Sequence, residues 1–202
     1  MKVMKIILAS SSPRRKTLLQ QIGLDFDVYS PLVQEIGQGE MRIAQHSECP
    51  ARRRITQENA SLKAGEAFAH TSGDRMVIGA DTIVFMDGKI MGKPVDESDA
   101  RAMLRSLSGR SHLVVTGLAV QRNDLPLIKG FEETVVTFRR LSVREIDRYI
   151  QSGEPMDKAG AYGIQGLGAL FVKEIEGCYF NVMGLPLVRL LRMCHRVGIE
   201  LL

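Results

Sequence analysis

The chain has no tryptophan, and aromatic residues of all kinds make up 5% of its 202 residues. Binding along a nucleic-acid single strand needs repeated stacking platforms, so this poverty argues against a nucleic-acid partner. Cysteine is scarce as well. Cys49, Cys178 and Cys194 are odd in number, far apart and without a C-x-x-C spacing, which supports neither a disulfide framework nor a zinc ribbon. His46-x-x-Cys49 and Cys194-His195 fall short of the four ligands of a structural zinc. Long apolar runs are missing. Ile6-Ile7-Leu8-Ala9 stops at S-S-S-P-R-R, too short for a signal peptide or a membrane span. A reducing cytoplasmic setting and no membrane partner are therefore expected. Familiar nucleotide motifs are absent too. Around Gly92-Lys93 a P-loop needs Gly at 87 and Ser or Thr at 94, where the chain has Asp87 and Pro94. Gly163-x-x-Gly166-x-Gly168 has the wrong order for a dinucleotide fingerprint, and neither G-x-S-x-G nor H-E-x-x-H occurs.

What is present is an ordinary globular composition, 45% hydrophobic and 25% charged with a net charge of +4. One domain over residues 1–202 is expected, long enough to bury a core. Basic residues cluster at Arg14-Arg15-Lys16 and at Arg52-Arg53-Arg54, which suits a polyanion, with nucleotide phosphates as good a candidate as nucleic acid. The pattern predicts a strand at Met4–Ala9, a helix after Ser12-Pro13 ending at Gly23, and a strand at Phe26–Tyr29. A loop over Pro31–Pro50 carries Glu35 and Glu40. A helix at Ala51–Ala69 carries Lys63, and a strand at Met76–Met86 leads through an Asp87-Gly88 hairpin to a return strand at Lys89–Lys93. A helix at Glu97–Leu107 follows. Long strands are expected at Ser111–Gln121 and Leu127–Arg139, joined through Arg122-Asn123-Asp124. Ser142 caps a helix at Val143–Ser152, and a glycine-dense stretch spans Gly153–Gly168. The chain closes with a strand at Ala169–Ile175 and a helix that becomes regular near Pro186. Early alternation of strands and helices, then strands paired as neighbours, gives an α/β fold with a mixed twisted sheet and flanking helices.

The run V-I-G-A-D-T-I-V at Val77–Val84 is the focus. A lone acid, Asp81, and Thr82 interrupt β-branched residues suited to a buried strand, and burying them is costly without partners. Asp81 is a turn acid or a site acid. Two guanidiniums, Arg14 and Arg15, open a helix whose positive end favours anions, an arrangement that makes sense if an anion docks there too. Strand, serine-rich turn (Ser10, Ser12) and helix start thus describe a phosphate cradle. Arg14, Arg15, Lys63 and Lys93 can neutralise a polyphosphate. Glu35 and Asp81 are hard oxygen ligands suited to Mg²⁺ together with substrate phosphates.

These segments resemble the Maf family. Leu8–Arg15 is similar to its L-A-S-x-S-P-R-R signature, Gly79-Ala80-Asp81-Thr82 to its G-A-D-T and Lys93-Pro94 to its K-P element. Ser106–Arg110, Val115–Gly117, Gly153–Gly166 and Asn181–Leu187 follow in family order. The family commonly has an acid at the position of Leu62 and Glu at that of Gly92. The resemblance implies an inosine-triphosphatase-like fold with an active-site cleft between two lobes. It also implies a nucleoside triphosphate pyrophosphatase that uses Mg²⁺ or Mn²⁺ and can pair as a homodimer. It casts Asp81 as general base, Ser10, Arg14, Lys63 and Lys93 as triphosphate holders and Glu35 as a metal-linked acid. Arg15, Thr82 and Gln165 match the branch acting on dTTP and UTP, and modified pyrimidine triphosphates such as 5-methyl-UTP and pseudo-UTP are included in the expectation. A glutamine amide offers both the donor and the acceptor that a uracil or thymine edge requires. The rival expectations are a nucleotide-binding regulator of septum formation without turnover, and a nucleic-acid binder using Arg52–Arg54.

Overall fold

A computed structural model describes residues 4–36, 48–123 and 125–201, the side chains of residues 48–50 aside. Glu40, His46, Asp124 and the Cys49 side chain, all named above, lie outside the described residues. In chain order the elements are β1 (Lys5–Ala9), α1 (Pro13–Gln21), β2 (Asp27–Tyr29), α2 (Glu48–Ala69), β3 (Arg75–Met86), β4 (Lys89–Met91), α3 (Glu97–Leu107), β5 (Ser111–Arg122), β6 (Ile128–Phe138), α4 (Val143–Gln151), β7 (Val172–Glu176), α5 (Tyr179–Val182) and α6 (Leu187–Arg196). Short 3₁₀ turns fill Glu154–Asp157, Ala159–Ala161 and Gly166–Phe171.

The strands form one mixed sheet in the order β2-β1-β3-β5-β6-β7, with β4 folded back onto β3. β1 is parallel to both β2 and β3, and the remaining pairs are antiparallel. The fold is α/β, a mixed sheet flanked by helices, as the pattern predicts. Asp87 and Gly88 both take positive φ, 52° and 76°, the left-handed pair that a two-residue hairpin requires. α1 stops in a Schellman turn: Gly23 N–H donates to Gln20 C=O and Leu24 N–H to Leu19 C=O. Ser142 and Glu145 close a capping box on α4, and Asp96 accepts the Asp99 N–H at 2.7 Å to cap α3.

Three expectations shift. The loop expected up to Pro50 gives way to α2, which begins at Glu48. Lys93 falls beyond the return strand, which ends at Met91. The strand expected from Ala169 begins at Val172, because residues 166–171 close a 3₁₀ coil whose first residue, Gly166, has φ +68°.

Both faces of the central strands are covered, so β3 and β5 are buried nearly throughout. On one face Ala60, Ala64 and Ala67 of α2 pack on Ile7, Val77 and Ala119. On the other face lie two separate apolar groups. One joins Leu18 and Leu19 of α1 with Met76, Ile78, Leu190 and Met193. The other joins Val84 and Met86 with Leu104, Leu107 and Ile146 of α3 and α4. Residues 81 and 82 sit on β3 between the positions that feed these two groups, and both line a cavity.

Candidate active site

Side chains alternate along a strand, so Asp81 and Thr82 point to opposite faces of the sheet. Asp81 shares its face with Val77 and Ile83, toward α2, and Thr82 shares its face with Ile78 and Val84. Two glycines let α2 approach the sheet. A Cβ on Gly79 would stand 2.1 Å from the Ala60 carbonyl oxygen, and one on Gly117 would stand 2.2 Å from the Thr56 carbonyl carbon. Gly117 is the cross-strand partner of Asp81. The small stripe Thr56-Ala60-Ala64 therefore lies directly on the sheet, which brings Asn59 and Lys63, one helical turn apart, to the acid.

Asp81 is 5% exposed and has a donor on each oxygen. Lys63 Nζ donates to Oδ1 at 2.7 Å and Asn59 Nδ2 to Oδ2 at 2.9 Å. Lys63 Nζ also lies 2.6 Å from Glu35 Oε1, so one ammonium spans two carboxylates. Asn59 further accepts the Ile36 N–H at 2.7 Å and donates to the Ile36 carbonyl at 3.0 Å, tying the Glu35 segment to the same helix.

Across the sheet, Arg15 is 8% exposed and all three of its nitrogens are engaged. Nε donates to Gly184 C=O at 2.8 Å, Nη1 to Ser10 Oγ at 3.1 Å and Nη2 to Thr82 Oγ1 at 3.0 Å. Thr82 Oγ1 lies 2.9 Å from Thr116 Oγ1, which donates to Asn181 C=O at 3.0 Å. The proton order follows: with its own hydrogen committed to Asn181, Thr116 can only accept from Thr82. Burial pulls the Arg15 pKa down from its usual value, with Asp81 acting in the opposite sense. Ser12 occupies the N-cap position of α1 without a side-chain cap bond. Its N–H donates instead to Ser10 Oγ at 3.2 Å.

A cavity of about 670 Å³ is lined from both faces of β3 at residues 81–84. Ser10, Ser12, Arg14, Arg15, Glu35, Lys63, Asp81, Thr82 and Lys93 all line it. Gln165 does not. It is exposed, one residue beyond the lining Ile164. Four residues to which the sequence assigns no role belong to this neighbourhood: Asn59, Asp157 and Lys158 in the cavity wall, and Thr116 behind Thr82. Asp157 accepts from Lys158 Nζ at 2.6 Å and from Arg14 Nη1 at 3.5 Å. Burial raises its pKa, but the Lys158 hydrogen bond and the charges of Lys158 and Arg14 outweigh this and leave it below the usual value. The second basic cluster is paired: Arg52 and Arg53 both meet Glu133, and Arg54 meets Glu58. Leu62 is 43% exposed, and no Leu62 atom lines the cavity.

The donor set fits a divalent cation. Glu35 and Asp81 present carboxylate oxygens close enough to share one ammonium, and among the described residues no group of three or more His, Cys, Asp or Glu gathers. Mg²⁺ is commonly held by one or two carboxylates, with substrate phosphates and water completing its shell. Among the described residues no helix is long and apolar enough to cross a membrane.

A buried acid paired with a lysine, facing a serine–arginine turn across one cleft, defines a site built for a polyanionic substrate. Residues 5–197 match the family model described as Maf-like protein. The chain belongs to the Maf family. It is 48% identical over 199 residues to a protein of Dictyoglomus thermophilum named dTTP/UTP pyrophosphatase, covering 98% of each chain. It is 47% identical over 194 residues to a protein of the same name from Symbiobacterium thermophilum, covering 96% of this chain and 94% of that one. Among solved structures, the Ham1 protein of Staphylococcus aureus matches with a TM-score of 0.43 and 17% identity, over 66% of this chain and 71% of that one. A HAM1 protein from Coxiella burnetii gives 0.45 and 18%, over 69% and 75%.

Proposed function

We propose that the chain is a nucleoside triphosphate pyrophosphatase that hydrolyses dTTP and UTP to the nucleoside monophosphate and pyrophosphate, removing unwanted nucleotides from the cell's pool. The observation that carries this reading is Asp81 held by Lys63 and Asn59 in the same cavity as the Ser10–Arg15 turn and Lys93. The names of relatives that are 41–48% identical over nearly the whole chain support it.

In this reading the triphosphate lies against Arg14, Lys93 and the α1 N-terminus, where charge and backbone N–H groups favour phosphate. Asp81 orients a water for in-line attack on the α-phosphorus and takes up its proton. A P–O bond forms to the water oxygen, and the bond between the α-phosphorus and the bridging oxygen breaks, its electron pair leaving with pyrophosphate. Aspartate is a weak base in water, so alignment is its larger contribution. Glu35 and Asp81 would hold Mg²⁺ or Mn²⁺, which when bound would supply acidity to water and positive charge beside the phosphates. Before substrate enters, Lys63 bridges the two acids, and it adds positive charge to the site. Thr82, fixed from behind by Thr116 and from the side by Arg15, belongs to the face that selects the base. Gln165 is exposed and adjoins the lining Ile164, and we assign it to the pyrimidine edge. This reading places all of the chemistry in a single domain in the cytoplasm, with modified pyrimidine triphosphates as further substrates.

The test is a panel of common and modified triphosphates with Mg²⁺ or Mn²⁺, following release of monophosphate and pyrophosphate. Turnover concentrated on dTTP, UTP and their modified relatives supports the reading. Release of single phosphates, or tight binding of dTTP without products, overturns it, and the latter result points to a regulator.

A further inference from the structure

Resting on that reading of Asp81, we propose that Asn59 is a positioning residue that assigns Asp81 a single working oxygen, Oδ1. Asn59 is 2% exposed and its amide is fully committed. Its carbonyl oxygen accepts the Ile36 N–H at 2.7 Å, and its nitrogen donates to the Ile36 carbonyl at 3.0 Å and to Asp81 Oδ2 at 2.9 Å. The amide cannot be reversed, because the flipped form would set its oxygen against two acceptors and its nitrogen against a donor.

The two ties on Asp81 are unequal. Lys63 reaches Oδ1 with a compact charge on a flexible four-carbon stem that also contacts Glu35, and a polyphosphate can draw that ammonium away. Asn59 is held by the backbone of Ile36 and stays. Substrate entry then uncovers Oδ1 for the water while Oδ2 remains pinned and the carboxylate plane keeps its angle. The same amide holds Ile36 beside Asp81, so Glu35 keeps its distance from the acid.

The experiment compares wild type, Asp81→Asn, Asn59→Leu and Asn59→Ala. Competent sites are titrated with α,β-imido-dTTP, which cannot be cleaved at the reacting bond, and kcat is expressed per titrated site. Thermal melts report stability separately. Outer partners of catalytic or metal-binding groups typically carry 10–100-fold effects. Both Asn59 variants should lose about 10–100-fold in kcat per site, with KM and analogue Kd within about threefold of wild type. A kcat per site within twofold of wild type in either variant, with Asp81→Asn inactive, overturns the positioning role and leaves the pyrophosphatase reading standing. A wild type that binds the analogue but never cleaves dTTP or UTP overturns both.

Discussion

Asp81 and Gly117 face each other across β3 and β5, and the missing side chain of Gly117 is what allows α2 to reach the acid. The surroundings of Asp81 are thus set by a glycine on the neighbouring strand. Gly117→Ala would drive a Cβ to 2.2 Å from the Thr56 carbonyl carbon and force the helix off the sheet. Overpacking of this kind costs about 1–3 kcal/mol. The melting temperature should fall by several degrees, and dTTP hydrolysis should fall further than stability explains, because Asn59 and Lys63 retreat together. Calorimetry alongside steady-state kinetics checks it.

Asp81→Asn keeps the shape and one acceptor for Lys63 while removing the charge that orients water. Pyrophosphate release should drop by about 10²–10⁴-fold, the range for a group that handles the attacking water, while the melting temperature falls modestly because the new amide NH₂ must face the Asn59 or the Lys63 donor. Coupled pyrophosphate detection on dTTP gives the answer.

Lys63 pairs with both Glu35 and Asp81, the two carboxylates proposed to hold a divalent cation, so the two cations would compete for them. Lys63→Met removes the ammonium and keeps most of the stem. Free enzyme of this variant should bind Mn²⁺ about tenfold more tightly or better, read by electron paramagnetic resonance without nucleotide, while dTTP turnover falls. Unchanged Mn²⁺ affinity would contradict the competition.

Arg15 spends its three nitrogens on Gly184, Ser10 and Thr82. A lysine offers no planar fork, so Arg15→Lys should lose at least about two of these bonds. Expected outcomes are a lower melting temperature and a weakened preference of dTTP and UTP over other triphosphates. A selectivity ratio equal to that of wild type would show that Thr82 is held in place without Arg15.

His112 is buried against Tyr162, with Nε2 2.7 Å from the tyrosine hydroxyl, and burial lowers its pKa to about 4. The unfolded chain, with a histidine near 6.5, binds more protons than the fold between those values. Stability is therefore full above about pH 6.5 and declines as pH falls toward about 4. Melting curves at pH 7 and pH 4.5 should show a smaller acid-side loss in His112→Gln than in wild type.

The sequence made β3 legible because an acid and a hydroxyl interrupt a β-branched run, and it made the α1 turn legible through S-S-S-P-R-R. Residue type and position alone do not separate Arg15 from Arg14; only the family resemblance gives them different roles. Both open the same helix, yet Arg14 lines the cleft half-exposed while Arg15 is buried on partners up to 169 residues away. Asn59 carried a local signal: it lies four residues before Lys63, beside Ala60 on a helix face otherwise made of small residues, where a buried amide needs a partner. Asp157 and Lys158 sat inside a recognised motif, but their place opposite Arg14 depends on how β3 to β6 wrap round. Gln165 was legible as a motif position and stands outside the cavity lining.

The alternation of Asp81 and Thr82 along β3 has a further consequence for how such a chain can vary. Asp81 and Thr82 are covalent neighbours, yet Asp81 is held by Asn59 and Lys63 of α2 and Thr82 by Arg15 of α1. On the function proposed above, substitutions at Thr82, Thr116 or Arg15 would retune which nucleotide is accepted while leaving the ties of Asp81 to Asn59 and Lys63 in place. Deleting one residue between Arg75 and Ala80 would exchange the two faces at once. Point substitution is the open route to new specificity, and a change of strand length is closed.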